Sequence, residues 1–575
     1  MPGKRGPGGG RPGGWRPRLT TTGIVAALLF LFVASYRFNT LGGALGGFDN
    51  DHFVHLAQAW QVEAGEQPLR DFLDSGLQGA RPSLTYELSA LAQRLGGRTL
   101  RSEAWLTVIG VAAAAALTFV AGAAIVPWPV ALVTAVLAAL LSPKLYGYPK
   151  VLALATISLL VIRYSRTPRW WRIAAMAATT AVAFLFRHDY AIYCGIAALT
   201  VLGCSGPSSG WVRLGRAAAY AAITLLLLAP SLYWVERHAG LVAYVQNARS
   251  MSAREAQRTT LDWPVPDIHV SEPVRANFER EANSEAWIYY LFVALGWLAA
   301  LAAAVRMRRG ADERDAAMLA IGLMTIPLSL FFLRGSLEAR FGDMGPPAAI
   351  LAAWFCAIAV EGGHRGLGRR AAAALLAAAV LGGTALSIWS LQSVRTELLR
   401  AGLLTSPVAV ITQFIRVSLE LAGLPEGLRR QDATSPSGRA AAYLHDCTAP
   451  SDRIMVVSYA PEVGGLSGRL FGGGRATFLP GFYEDERYSR FLMARLGRES
   501  VPIVLAEDEP YYAAYPLLAP YLRDVYVEQG RVEIDGGRTL RVLTKRGLVS
   551  RPYGPAMLPC FGDAKGPGDG LSQLR

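Results

Sequence analysis

Apolar runs recur along this chain at lengths that match a lipid bilayer, and no other feature narrows its possible folds as much. A hydrocarbon core of about 30 Å needs a helix of about 20 mostly apolar residues. Such a run starts at Thr22, and others follow at roughly 104–125, 128–146, 148–162, 172–187, 190–204, 216–234, 286–305, 316–333, 345–360 and 371–390. The pattern predicts a polytopic all-α membrane domain of about 11 spans. Composition agrees, with 52% hydrophobic and 17% charged residues against about 25% charged in soluble domains. The mean hydropathy of +0.29 fits a chain that is part membrane and part soluble.

The net charge of +14 is large enough to raise the question of nucleic acid. Its placement answers it. With the N-terminus inside, segments 1–21, 163–172, 205–216, 306–315 and 361–370 face the cytoplasm, and they carry the whole excess. This is the positive-inside asymmetry, so the charge reports topology and implies no nucleic-acid partner. Residues 1–21 read as a disordered basic tail. The run after Thr22 reads as an uncleaved span, because no small-residue cleavage site precedes Tyr36 and Arg37.

Residues 22–390 form the expected membrane domain, with outside loops at 41–103 and 235–285, and an odd span count puts 391–575 outside. That last part reads as an α/β domain. Ile454–Ser458 and Ile503–Ala506 have the pattern of buried strands, and Tyr488–Leu496 and Leu517–Val525 that of helices. Val532–Thr544 reads as a hairpin about Asp535-Gly536-Gly537. Val408–Leu421 suits a membrane interface. Cys194, Cys204 and Cys356 lie in apolar runs as small hydrophobes. For Cys447 and Cys560, both in the outside domain, a disulfide and two free thiols stay equally open.

Ionisable residues gather at the outer ends of the spans. Asp49 and Asp51 begin a helical stretch in which Phe53, Leu56, Ala57 and Trp60 make one apolar stripe. That stripe is expected to lie on the membrane, with His52 and His55 on its flank. The acids have two readings: helix-capping residues, or carboxylates that deprotonate an acceptor or hold a divalent cation. Phe186-Arg187-His188-Asp189-Tyr190 forms a second cluster, either an interfacial ion pair of Arg187 with Asp189 or a phosphate clamp at Arg187. Arg334, Glu338, Arg340 and Asp343 form a third, and Lys144 and Lys150 a fourth. Outside lysines run against the positive-inside bias; they anchor the turn at the headgroups or bind an anion. Asp71 and Arg81 in the first outside loop are weaker candidates.

On these residues the chain resembles the GT-C superfamily of membrane glycosyltransferases, of the protein O-mannosyltransferase and aminoarabinose transferase type. The resemblance rests on Asp49 and Asp51 after the first span, on Gly65-Glu66-Gln67-Pro68-Leu69-Arg70-Asp71-Phe72 with Pro82 and Leu84-Thr85-Tyr86 beyond, and on overall layout. Asn50 stands where the family often has a second acid. The resemblance implies transfer of a sugar from a polyprenyl-phosphate donor to an acceptor hydroxyl on a glycan, lipid or protein. Asp49 would be the base, Asp51 a second carboxylate, and Arg187, Lys150 or Arg340 would hold the phosphate. His52, His55, Asp71, Arg81, His188, Asp189 and Glu338 would serve the substrates. A Mg or Mn ion, if used, would sit on Asp49 and Asp51. The implied location is the cytoplasmic membrane of a bacterium, among its lipids, and the Ala/Gly/Arg-rich composition points to a GC-rich genome. A polysaccharide polymerase or ligase competes, because the 235–285 loop holds several arginines and histidines. A transporter of lipid-linked sugars fits less well, because the spans carry no charge clearly at mid-depth.

Overall fold

The computed structural model describes residues 19–42, 48, 50–73, 84–141, 144–205, 209–269, 271–309, 313–331, 333–335, 337–361, 367–424 and 435–561. Asp49 and Arg81 lie outside the described residues. The first half is helical: α1 (Leu19–Asn39), α2 (Asn50–Glu63), α3 (Leu84–Gly96), α4 (Leu100–Ala123), α5 (Trp128–Leu140), α6 (Tyr148–Arg166), α7 (Trp170–Phe186), α8 (His188–Cys204), α9 (Gly210–His238) and α10 (Leu241–Thr259). Then come α11 (Val274–Glu279), α12 (Glu281–Arg308), α13 (Glu313–Phe331), α14 (Glu338–Glu361), α15 (Leu367–Ser390), α16 (Gln392–Arg400) and α17 (Pro407–Gly423).

A helix stands at each expected span, but the span count needs correction. Among the described residues seven helices are long and apolar enough to cross a membrane, or eight if α15 and α16, bent by 72°, act as one. The helices α5, α7 and α8, of 13, 17 and 17 residues, reach only about 20–26 Å at 1.5 Å per residue. Pro127 sets the start of α5. Arg187, with φ −168° and ψ 127°, breaks the chain between α7 and α8. The chain is a multi-pass membrane protein with a mixed-sheet domain at its C-terminal end.

Small residues allow the bundle to close. A Cβ on Gly322 of α13 would fall 2.8 Å from the backbone nitrogen of Ala300 and 3.0 Å from the Gly296 oxygen, both on α12. Backbone contact of this kind drives helix association where lipid is as apolar as the side chains. The helix α17 packs Val417 and Leu421 inward, while Val408, Ile411, Ile415 and Leu419 stay exposed. That is the apolar face an interfacial helix presents to lipid.

The sheet domain occupies residues 435–561, since 391–424 form α16 and α17 instead. Its strands are β1 (Arg453–Val457), β2 (Leu470–Phe471), β3 (Ile503–Ala506), β4 (Tyr526–Ile534) and β5 (Arg538–Lys545), in the order β2-β1-β3-β5-β4. β1 runs parallel to β2 and β3, and β5 runs antiparallel to β3 and β4. Burial of all four β3 residues explains its unbroken apolar sequence. The β4–β5 hairpin turns at Asp535-Gly536-Gly537, where both glycines have positive φ. A second pair, β6 (Arg551–Tyr553) and β7 (Leu558–Cys560), is tied to the helix Pro436–Asp446 by a Cys447–Cys560 disulfide.

The largest departure from expectation is α2. Its stripe does not lie on lipid: Phe53, Leu56 and Trp60 are buried, and so are His52, His55, Gln58 and Gln61 on the other faces. The helix is packed between α3 and the sheet domain, where a Cβ on Gly465 would come within 2.9 Å of the Phe53 ring. Polar anchors surround it. Glu66 accepts from Arg453 (2.6 Å) and Arg495 (2.7 Å), Arg495 also pairs with Glu499 (2.5 Å), and Gln61 donates to the Phe471 carbonyl (3.1 Å). Burial raises the Glu499 carboxyl above its ordinary pKa, against the Gly473 N–H and the charges of Arg495 and Arg453.

The disulfide closes a sequence separation of 113 residues. Peptide mapping of alkylated, unreduced protein should recover Cys447 and Cys560 in one linked peptide pair. Replacing Cys447 by Ser should cost the sheet domain roughly 2–5 kcal/mol, read as a lower thermal midpoint.

Candidate functional site

Members of all four ionisable clusters meet at one end of the bundle, joined by aromatic rings. The turn between α5 and α6 is a short 3-10 helix, Leu145–Gly147. It presents the Tyr146 hydroxyl to Asp51 on α2 at 2.7 Å. Tyr459, from the end of β1, donates to the other Asp51 oxygen. Lys150 lies 5.7 Å from the Tyr146 ring centre and 5.8 Å from that of Tyr190, and makes a buried ion pair with Asp343 of α14 at 3.0 Å. The pair is tolerated because each charge neutralises the other out of water. Tyr190 also carries Arg187, 5.7 Å from its ring centre.

Beyond Tyr190 lies a cavity of about 520 Å³ lined by Arg187, His188, Asp189, Glu255 and Arg334. Asp189 accepts from the Arg187 Nε through both oxygens, at 2.8 and 3.0 Å. His188 Nε2 and the Tyr244 hydroxyl share a hydrogen bond of 2.9 Å. Arg334 is placed by backbone bonds that join Leu261 to Leu333 and Gly335 to Thr259. Its guanidinium is buried over the Phe331 ring at 4.0 Å, and no hydrogen bond or ion pair engages it among the described residues. Burial pulls its pKa below the ordinary arginine value, and the positive charges of Arg187 and Arg340 add to this against Glu255 and Asp189. Such a field favours an anion in the cavity. The lining includes Ile192 and Val245, both exposed and apolar.

The remaining candidates sit elsewhere. His52 is buried and bonds Glu103 of α4 at 3.0 Å, and Ser89 bonds the other Glu103 oxygen. The His55 ring packs between Tyr86 and Tyr146 at 5.9 and 5.6 Å. Both histidines are built into the packing of α2, not onto a membrane-facing flank. Asp71 bonds Arg70 (2.8 Å) and the Gln67 N–H (2.9 Å). Burial raises its pKa, but these bonds and the charges of Arg70 and Arg495 outweigh it and hold it below the usual carboxylate value. Asp71 thus shapes the loop between α2 and α3. Glu338 accepts from Ser393 of α16. Arg340 lies within electrostatic reach of Lys150 and Arg334. Its buried Nε has no hydrogen-bond partner among the described residues. Among those residues no group of three or more His, Cys, Asp or Glu could hold a metal ion.

Sequence reasoning missed Tyr244, Glu103, Glu255 and Tyr459 as members of these networks, and it placed Tyr190 beside Asp189 without giving it a role. Tyr459 had no signal, because its partner is 408 residues away.

No family model matches the chain, and no curated protein matches it. Among solved structures, ArnT from Cupriavidus metallidurans in the apo state is 15% identical with a TM-score of 0.45, over 91% of this chain and 97% of that one. The Archaeoglobus fulgidus oligosaccharyltransferase, in complex with Zn and sulfate, is 14% identical with a TM-score of 0.37, over 90% and 72%. Both likenesses are distant and concern overall layout alone.

Lys150→Met alone would strand the Asp343 charge, at a cost of about 3–5 kcal/mol. The thermal midpoint in detergent should therefore fall sharply. The double change Lys150→Met with Asp343→Leu should recover most of that loss, because it leaves no unpaired charge.

Proposed function

We propose that this protein is a membrane glycosyltransferase that moves a sugar from a polyprenyl-phosphate donor to an acceptor hydroxyl at the outer face of the membrane. One observation carries the reading: Arg334, buried and without an ion pair among the described residues, shares with Arg187 a cavity whose lining includes the exposed, apolar Ile192 and Val245. A lipid phosphate has the matching chemistry, an anion at one end and a hydrocarbon chain at the other.

The acceptor oxygen attacks the anomeric carbon, and the bond from that carbon to the phosphate oxygen breaks. The electron pair stays on the phosphate, which leaves as a stable anion and needs positive charge more than a proton. Arg187 offers its terminal amino groups, since Asp189 takes only Nε, and Arg334 and Arg340 add to the field. Fixed charges of this kind act at full strength in a site that excludes water. Lys150 is the third donor-binding candidate and acts from behind Tyr190, already balanced by Asp343. The acceptor proton goes to Asp49 in this reading. Asp51, with one tyrosine on each oxygen, positions α2 between the membrane turn and the sheet domain. A divalent cation remains a proposal for Asp49 and Asp51 together.

A polymerase or ligase that uses the same donor class is the second reading, favoured by Arg249 of the central outside loop, which also lines the cavity. Both readings share the phosphate site and differ in the acceptor.

The test is turnover of a panel of polyprenyl-phosphate sugars by protein in nanodiscs, with and without EDTA. Arg187→Ala and Arg334→Ala should each lower kcat about 10²–10³-fold, as loss of one preorganised charge donor does. Asp49→Ala should lower it about 10²–10⁴-fold with membrane insertion intact. Full turnover in all three variants would refute the site. Loss of turnover in EDTA that Mg or Mn restores would assign the metal.

A further inference from the structure

A second, smaller cavity lies on the far side of Tyr244. It has about 90 Å³ and is walled by three distant parts of the chain: the first outside loop, the start of α10 and the sheet domain. Five rings line it, His238, Tyr244, Tyr483, Tyr488 and Phe491, with Asn247 and Arg487 among them. Tyr483 and Tyr488 stand edge to face, 4.8 Å apart at 83°. One water needs roughly 10–15 Å³, so the space suits one small ring with its hydroxyls better than an extended chain.

The backbone around this cavity is unusual. Among the described residues only Leu69, Tyr483 and Met557 are non-glycine residues with positive φ, and Leu69 (69°) and Tyr483 (53°) both line it. Such conformations persist only where the surroundings over-determine them, and they gather at ligand sites. The supports are visible. Arg475, buried in the sheet domain, donates to the carbonyls of Phe482 and Tyr483 at 3.3 Å each and lies 5.4 Å from the Tyr483 ring centre. Leu69 donates to the Phe72 carbonyl at 2.8 Å, and the Trp234 indole holds the Pro68 carbonyl at 3.2 Å. Two costly conformations are thus fixed on opposite walls of one pocket, and both shape its lining.

We propose that this pocket is a saccharide subsite that holds the ring of the acceptor. The apolar C–H faces of a sugar pack on aromatic rings, and the Asn247 amide and Arg487 guanidinium supply directed partners for hydroxyls. Tyr244 lines both this pocket and the Arg187–Arg334 cavity, and its bond to His188 closes the wall between them. The acceptor role rests on the proposed transferase activity; saccharide binding does not.

Saturation-transfer NMR on the full chain in nanodiscs tests it, with methyl β-D-glucopyranoside, methyl α-D-mannopyranoside and methyl α-D-arabinofuranoside as probes. A short-chain polyprenyl phosphate is titrated separately. At least one glycoside should bind, and Tyr488→Ala should weaken it tenfold or more while polyprenyl-phosphate binding stays within twofold. Asn247→Ala, a milder change on α10, should weaken the same glycoside three- to tenfold. Binding of polyprenyl phosphate with none of the glycosides would overturn the proposal and leave the donor site standing. Glycoside binding unmoved by both variants would also overturn it. Glycoside binding that the variants abolish, with no affinity for polyprenyl phosphate, would support the pocket and count against the donor.

Discussion

Charge buried at one end of a membrane bundle has to be compensated, and the arrangement of this protein follows from how that is done. Lys150 and Asp343 neutralise each other between α6 and α14. Arg187 is partly met by Asp189. Arg334 has neither ion pair nor hydrogen bond to its guanidinium among the described residues, and it is buried. An unpaired buried cation is expensive. Here the Phe331 ring and the fields of Glu255 and Asp189 offset part of that cost. The aromatic rings of Tyr146, Tyr190 and Phe331 lower the cost by presenting their electron-rich faces to Lys150, Arg187 and Arg334.

The same end of the bundle is where the sheet domain is fastened. The helix α2 is buried on every side, which a surface amphipathic helix is not. Its polar residues serve as anchors: Glu66, beyond its C-terminus, to Arg453 and Arg495, Gln61 to Phe471, His52 to Glu103, and Asp51 to one tyrosine from each body. A buried network of this sort fixes one orientation because any half-satisfied alternative is costly. The sheet domain is therefore part of the site's geometry, and Tyr459 is its direct link to Asp51.

Much of the fold was legible because it is set by local pattern. Helices stand at the expected spans, Ile503–Ala506 is a strand, and the hairpin turns at the two glycines that favour positive φ. The span count was not legible, since apolar length in sequence does not show where Pro127 or Arg187 cuts a helix short. The face of α2 was misread for a related reason. A stripe of Phe53, Leu56, Ala57 and Trp60 says that one face is apolar, not whether lipid or a domain about 400 residues away covers it. Arg187 and Arg334 were visible as charges at span ends, but their common cavity depends on α10 and on the backbone pairing of 259–261 with 333–335.

That pairing bears on how the site works. Arg334 lies between α13 and α14, and the end of α10 with the stretch after it brackets its backbone by two hydrogen bonds. Arg254 of α10 bonds the Gly481 carbonyl, two residues before Tyr483. One helix therefore touches the Arg187–Arg334 cavity through Glu255, the aromatic pocket through Tyr244 and Asn247, and the sheet domain through Arg254. A displacement of α10 would alter all three at once. Among the described residues α10 lines both cavities, so any coupling between them has a direct physical route through it.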